Sequence, residues 1–127
     1  MRIRDLIKEL RRIPAADLLP NLKNWRLHTP EQHDTMRAVL AEVGYADAVL
    51  VRETPDGFQI LDGHLRAETR PDAELPCLVV DVTDAEAHYI LVTHDAVTRM
   101  ADITTKLGPL LTELRTSVKE AQEYSLL

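Results

Sequence analysis

The chain has a single cysteine in 127 residues, which excludes an internal disulfide and suits a reducing cytoplasm. That residue, Cys77, follows Leu75-Pro76 and precedes Leu78-Val79-Val80, a setting that predicts a buried structural thiol rather than a reactive one. No run approaches the ~20 apolar residues needed to span a bilayer. Met1 to Arg12 is charged throughout and lacks the apolar core of a secretory signal. A cytoplasmic protein with no membrane partner is expected. Net positive charge is also missing: the formal charge is −6, which does not point to a nucleic-acid binder, although a local basic patch can act against a global deficit. The sequence holds no Walker phosphate loop, no spaced cysteine–histidine pattern, no His-Glu-x-x-His and no Gly-x-Ser-x-Gly elbow. The five histidines, His28, His33, His64, His88 and His94, are scattered, and no metal site built from them is expected.

What is present suits one soluble domain. Hydrophobic residues make up 45% and charged residues 28%, an ordinary globular balance, and the length allows one substantial core. Ile3, Leu6, Ile7 and Leu10 follow helical spacing, so residues 1–12 are expected to form an N-terminal helix. Its other faces carry Arg2, Arg4, Lys8, Arg11 and Arg12, either a solvated surface or an electrostatic footprint for nucleic acid. Pro14 would end it, with Ala15 to Leu19 as a short strand. Thr29-Pro30-Glu31-Gln32 is a helix start with a capping box; Met36, Val39, Leu40 and Val43 supply its apolar stripe and Gly44 its stop. Ala48 to Arg52 and Phe58 to Leu61, around Thr54-Pro55-Asp56-Gly57, read as a hairpin. Cys77 to Val82 is a further strand. Thr83 and Glu86 form a second capping box, and Asp95 is expected to cap a separate short helix, Ala96 to Ala101. Leu107, Leu110, Leu111 and Leu114 mark a last amphipathic segment, which Gly108-Pro109 would kink or restart.

The chemistry concentrates in Ile60-Leu61-Asp62-Gly63-His64-Leu65-Arg66-Ala67-Glu68, where an apolar run ends in Asp-Gly and a basic helix follows. One reading is structural: Gly63 makes the bend, Asp62 caps the helix, and Arg66 and Arg70 face solvent. The other is an anion grip, with backbone amides, His64 and Arg66 converging on a phosphate. A polar loop holding Asn21, Trp25, Arg26 and His28 could face that turn, although Trp25 also suits a core.

The order Leu19-Pro20-Asn21, Asn24-Trp25-Arg26, Val49-Leu50-Val51, Asp62-Gly63-His64-Leu65-Arg66 and Leu75-Pro76 resembles the ParB/sulfiredoxin superfamily over residues 13–101. Narrowly, it is similar to ParB-like N-terminal domains of the Asp-Gly-His-Leu-Arg type, found in phages and mobile elements and ahead of DNA methylases. Leu91-Val92-Thr93-His94-Asp95 and the leucine-rich segment add to that likeness. The resemblance implies an α+β fold with a small mixed β-sheet, flanking helices and a C-terminal helical extension or linker over residues 102–127. It implies phosphate or nucleotide binding by Gly63, His64, Leu65 and Arg66, with Arg26 and Asn21 nearby, and a CTP or ATP cofactor with magnesium. By the same likeness Asp62 and His64 are the catalytic candidates, as in the free-serine kinases, and Asp62 or Asp95 the magnesium candidates.

This sequence departs from the family in three places. His64 stands where sulfiredoxin needs its cysteine, so that activity is not expected. Asp95-Ala96-Val97-Thr98-Arg99 keeps an acid and the arginine of the ParB Glu-Asn-x-x-Arg box but not the asparagine. No helix-turn-helix follows, and no Asp/Asn-Pro-Pro-Tyr methylase box is present. The expected function is an accessory nucleotide-binding module in DNA metabolism, partnered by DNA or a DNA-modifying protein such as a methylase, with homodimerisation left open. Two alternatives stand beside it. One is an ATP-dependent phosphotransferase or nuclease, with Glu31, Glu68 and Asp95 as candidate acids; the other is a non-catalytic interaction scaffold.

Overall fold

A computed structural model describes residues 1–23 and 27–117. Strand β1 (Ile7–Pro14) leads through a 3-10 turn (Ala15–Asp17) into β2 (Leu18–Leu19). Helix α1 (Pro30–Val43), the hairpin β3 (Val49–Thr54) and β4 (Gly57–Asp62), helix α2 (His64–Thr69) and strand β5 (Glu74–Val80) follow. Helices α3 (Asp84–Arg99) and α4 (Leu107–Ser117) complete the described chain. None of these helices is long and apolar enough to cross a membrane.

The five strands form one mixed sheet in the order β1-β5-β3-β4-β2. β3 runs parallel to β5 and β2 parallel to β4, while β1/β5 and β3/β4 are antiparallel. Period-two alternation divides the apolar side chains between two faces. Val49 and Val51, Ile60, and Leu75, Cys77 and Val79 build one cluster with Ile13 and Leu18, against which Ala67 of α2 packs. Leu61 and Val80 face the other way, onto Ala87 and Ile90 of α3. α2 and α3 therefore cover opposite faces, and α1 packs on α2.

Both capping boxes form as expected. Thr29 accepts from the Gln32 amide and Gln32 returns a bond to the Thr29 amide; Thr83 and Glu86 do the same. The hairpin and the Cys77 strand are also present, the latter beginning earlier, at Glu74.

Two expectations are corrected. Ile7 to Arg12 is not helical: it is strand, paired antiparallel with β5 from Ile7↔Val80 to Pro14↔Glu74. The pairing overrides the helical period, which buried nothing useful, since Ile7 and Leu10 are exposed and only Ile13 of this strand enters the core. Nor does Asp95 start a new helix. α3 runs without interruption from Asp84 to Arg99, because no glycine or proline breaks its backbone ladder.

Candidate functional site

β4 ends with Ile60 and Leu61 buried on opposite faces, so the chain must leave the sheet sharply to enter α2. Gly63 makes that turn at φ +101°, a left-handed conformation that side-chain-bearing residues rarely adopt. A Cβ there would lie 3.2 Å from Val49 Cα and 3.3 Å from both its Cγ atoms. Backbone and packing therefore both demand glycine. Gly63 is itself the N-cap residue of α2, and no side chain caps this helix. The expected Asp62 cap is thus corrected: Asp62 is still the last residue of β4, opposite Leu50. Its Oδ2 instead lies 3.6 Å from Nε2 of His94 on α3.

The residues after Gly63 diverge in role. His64 is buried, and its Nε2 accepts a hydrogen bond from the Asn21 amide at 3.2 Å, which ties the Pro20-Asn21 turn to the Gly63 turn. Asn21 is buried as well, and its Oδ1 accepts from the Lys23 amide. Arg66 is mostly covered; its Nη2 reaches Asp47 Oδ2 only at 3.5 Å, a long contact to an exposed carboxylate. The first amides of a helix have no carbonyl one turn back to bond, so those of His64, Leu65 and Arg66 suit an external acceptor or a local one.

Asp62, Gly63, His64, Leu65 and Arg66 all line one open cleft of about 640 Å³. Its other walls include Asp47, His28 and Gln32, and His94, Thr98 and Arg99 from the last turns of α3. Two guanidiniums (Arg66, Arg99) and three imidazoles (His28, His64, His94) thus share the space with two carboxylates (Asp47, Asp62). Asn21 lines a separate depression of about 310 Å³ with Lys23, Arg52 and Gln59, and its amide bonds to His64, which lines the first cleft. Trp25 and Arg26 lie outside the described residues. Asp95 occupies α3 one turn before Arg99. Arg99 was visible in the sequence only as the end of an incomplete box, and His94 and Asp47 carried no site signal.

The N-terminal basic residues are largely matched by acids. Arg4 pairs with Glu86 at 2.6 Å, Lys8 with Glu53 at 3.5 Å and Arg11 with Glu9 at 3.8 Å. That favours the solvated-surface reading of this stretch.

Histidines that look scattered in sequence meet beside the cleft. His28 Nδ1 and His33 Nε2 each lie 2.9 Å from the same oxygen of Glu68, Oε2. Burial raises the Glu68 carboxyl, but the hydrogen bonds and charge of His33 and His28 outweigh it and hold the group below the ordinary glutamate value.

No protein-family model matches the chain, and no curated protein matches it either. Solved structures do. The C-terminally truncated chromosome-partitioning protein ParB of Caulobacter crescentus, complexed with CTP-gamma-S, superposes with a TM-score of 0.69 at 20% identity over 85% of this chain. The chain spans 63% of that ParB. The same ParB complexed to the centromeric parS site gives 0.53 at 19% identity, covering 91% of this chain and 64% of that one. Arabidopsis thaliana sulfiredoxin gives 0.55 at 14% identity over 66% of this chain and 98% of its own. With its mixed five-stranded sheet covered by helices, the chain has an α+β, ParB/sulfiredoxin-like fold.

Proposed function

We infer that this protein is a ParB-like nucleotide-binding module that serves DNA metabolism in partition, modification or phage-related processing. The observation that carries the reading is the cleft itself: the Asp62–Arg66 turn and Arg99 converge on it from opposite sides of the sheet's end. Its fold matches a ParB whose structure holds CTP-gamma-S. Turn amides and the Arg66 and Arg99 guanidiniums suit a polyphosphate, arginine through paired hydrogen bonds. The cleft volume is in the range of small-ligand sites. Asp62 offers a carboxylate to a magnesium ion accompanying the phosphates, the kind of partial protein coordination that magnesium accepts beside a nucleotide. Its partners would be DNA or a DNA-modifying protein such as a methylase, and its compartment the cytoplasm. His64 serves this site by holding the Asn21 loop in place.

Calorimetric titration with CTP, ATP and GTP, with and without magnesium, tests the reading. At least one triphosphate is expected to bind, and Arg66→Ala to weaken it. Equal behaviour of wild type and variant would remove the pocket assignment.

A second reading, phosphotransfer to a small hydroxyl compound, is favoured by one observation: Asp62 and His94 form an acid–imidazole pair inside the cleft. It requires nucleotide turnover that falls in Asp62→Asn while nucleotide binding persists. Binding without turnover leaves the accessory-module reading.

A further inference from the structure

We propose that His28, His33 and Glu68 form a binding site for one divalent transition metal of the zinc type. The three residues come from three separate pieces of chain: His28 from the loop before α1, His33 from the first turns of α1, and Glu68 from α2. A five-residue spacing does not put two side chains on one helix face. Here the helix begins between them. Thr29 caps it, Gln32 closes the box and Pro30 stiffens the first turn, so His28 sits just outside the helix and folds back over His33. The two rings stand 6.2 Å apart between centroids, tilted by 58°. Packing of α2 against α1 brings Glu68 between them.

The donor atoms match the metal in kind and nearly in position. His28 Nδ1, His33 Nε2 and a Glu68 carboxylate oxygen lie within 4.8 Å of one another. Zinc holds imidazole nitrogen at about 2.0–2.1 Å and carboxylate oxygen at about 2.0–2.2 Å, so tetrahedral donors sit about 3.4 Å apart. Seating an ion therefore requires small side-chain rotations that draw the two nitrogens together by roughly 1.5 Å at most. Two imidazoles and one carboxylate favour zinc, nickel or cobalt over magnesium, which prefers oxygen ligands throughout. Side-chain exposures of 10%, 29% and 44% for His28, His33 and Glu68 leave a path from solvent and a coordination position for water. The ion would pin the loop that carries His28 to both helices. Because His28 also lines the nucleotide cleft, one wall of that cleft would then be held by metal.

The competing reading is a hydrogen-bonded clamp without metal. There, both ring nitrogens facing Glu68 carry protons; in the metal site both present lone pairs to the ion. Titration of the untagged full chain with zinc, with no nucleotide present, separates the two and is independent of the nucleotide proposal. One equivalent of zinc is expected to bind while magnesium does not compete. Binding should weaken about tenfold or more in His33→Ala and Glu68→Gln and remain unchanged in His88→Ala. Cobalt should give visible ligand-field bands that both site variants lose. Zinc bound equally well by wild type and His33→Ala, or not bound at all, means the clamp. Should both variants unfold, the wild-type histidine ring resonances decide: zinc-induced shifts confined to His28 and His33 support the site, and shifts centred on His88 or His94 overturn it.

Discussion

The buried Asn21 amide donates to Nε2 of buried His64 at 3.2 Å, joining two turns that lie 43 residues apart. The bond occupies one ring nitrogen of the residue that the family resemblance proposes for catalysis. His64→Ala would leave that buried amide without its acceptor, at a cost of about 1–3 kcal/mol, in addition to the cavity left by the ring. A lower urea midpoint with an unchanged slope is expected. A variant as stable as wild type would show that His64 does not hold the loop.

Gly63→Ala places a side chain at φ +101°, with its Cβ 3.2 Å from the Val49 backbone. Because backbone cannot rotate away as a side chain can, the turn must shift. A loss of about 1–3 kcal/mol follows, together with weakened nucleotide binding. Gly44→Ala makes a useful comparison: it has a positive φ of +86° but nothing within 4 Å, so it should carry backbone strain without the clash. Denaturant unfolding of the two variants should rank Gly63 as the costlier site.

Cys77 is fully buried, and burial pushes its thiol up to about 11, although Arg12 and a backbone hydrogen bond from Ile13 pull slightly the other way. The native protein should therefore fail to react with a disulfide reagent at pH 8 and react with one equivalent when unfolded. The sign of the linkage is clear. A thiol that ionises near 9.0 when unfolded and near 11 when folded makes the unfolded state bind fewer protons, so stability falls as pH rises between those values. Cys77→Ala should flatten that alkaline decline.

Arg66 and Arg99 face the same cleft. A charge-assisted contact to phosphate is worth about 1.5–3 kcal/mol, so replacing either with alanine should weaken triphosphate binding about tenfold to a hundredfold. Arg37→Ala, whose guanidinium pairs with Asp34 on α1, should leave binding unchanged. Equal losses in all three variants, read by calorimetry, would mean a general charge effect instead of a site.

Much of the local structure was readable. Thr29 with Gln32 and Thr83 with Glu86 announce their helices because a capping box satisfies amides within four residues of itself. The Pro55-Asp56-Gly57 turn marks the hairpin for a similar reason. The N-terminus misled because Ile3, Leu6, Ile7 and Leu10 carry a helical period, yet the long antiparallel pairing with β5 controls this segment. The meeting of the histidines was hidden for the opposite reason: His28 and His33 straddle a helix cap and Glu68 arrives from another helix, so no spacing along one element shows that the three side chains converge.

The sequence by itself determined the Asp62–Arg66 turn, both capped helices and the hairpin, because each rests on backbone torsions and hydrogen bonds among near neighbours. Only the tertiary structure decided what the turn faces. Once Val49, Val51, Ile60, Leu75 and Val79 are buried on one side of the sheet and Leu61 on the other, α2 and α3 must cover opposite faces. Covering both faces carries Arg99 and His94 to the end of the sheet where Gly63 turns, and packs Glu68 of α2 against His33 of α1. Long-range burial places those groups together, and no spacing along the chain encodes it.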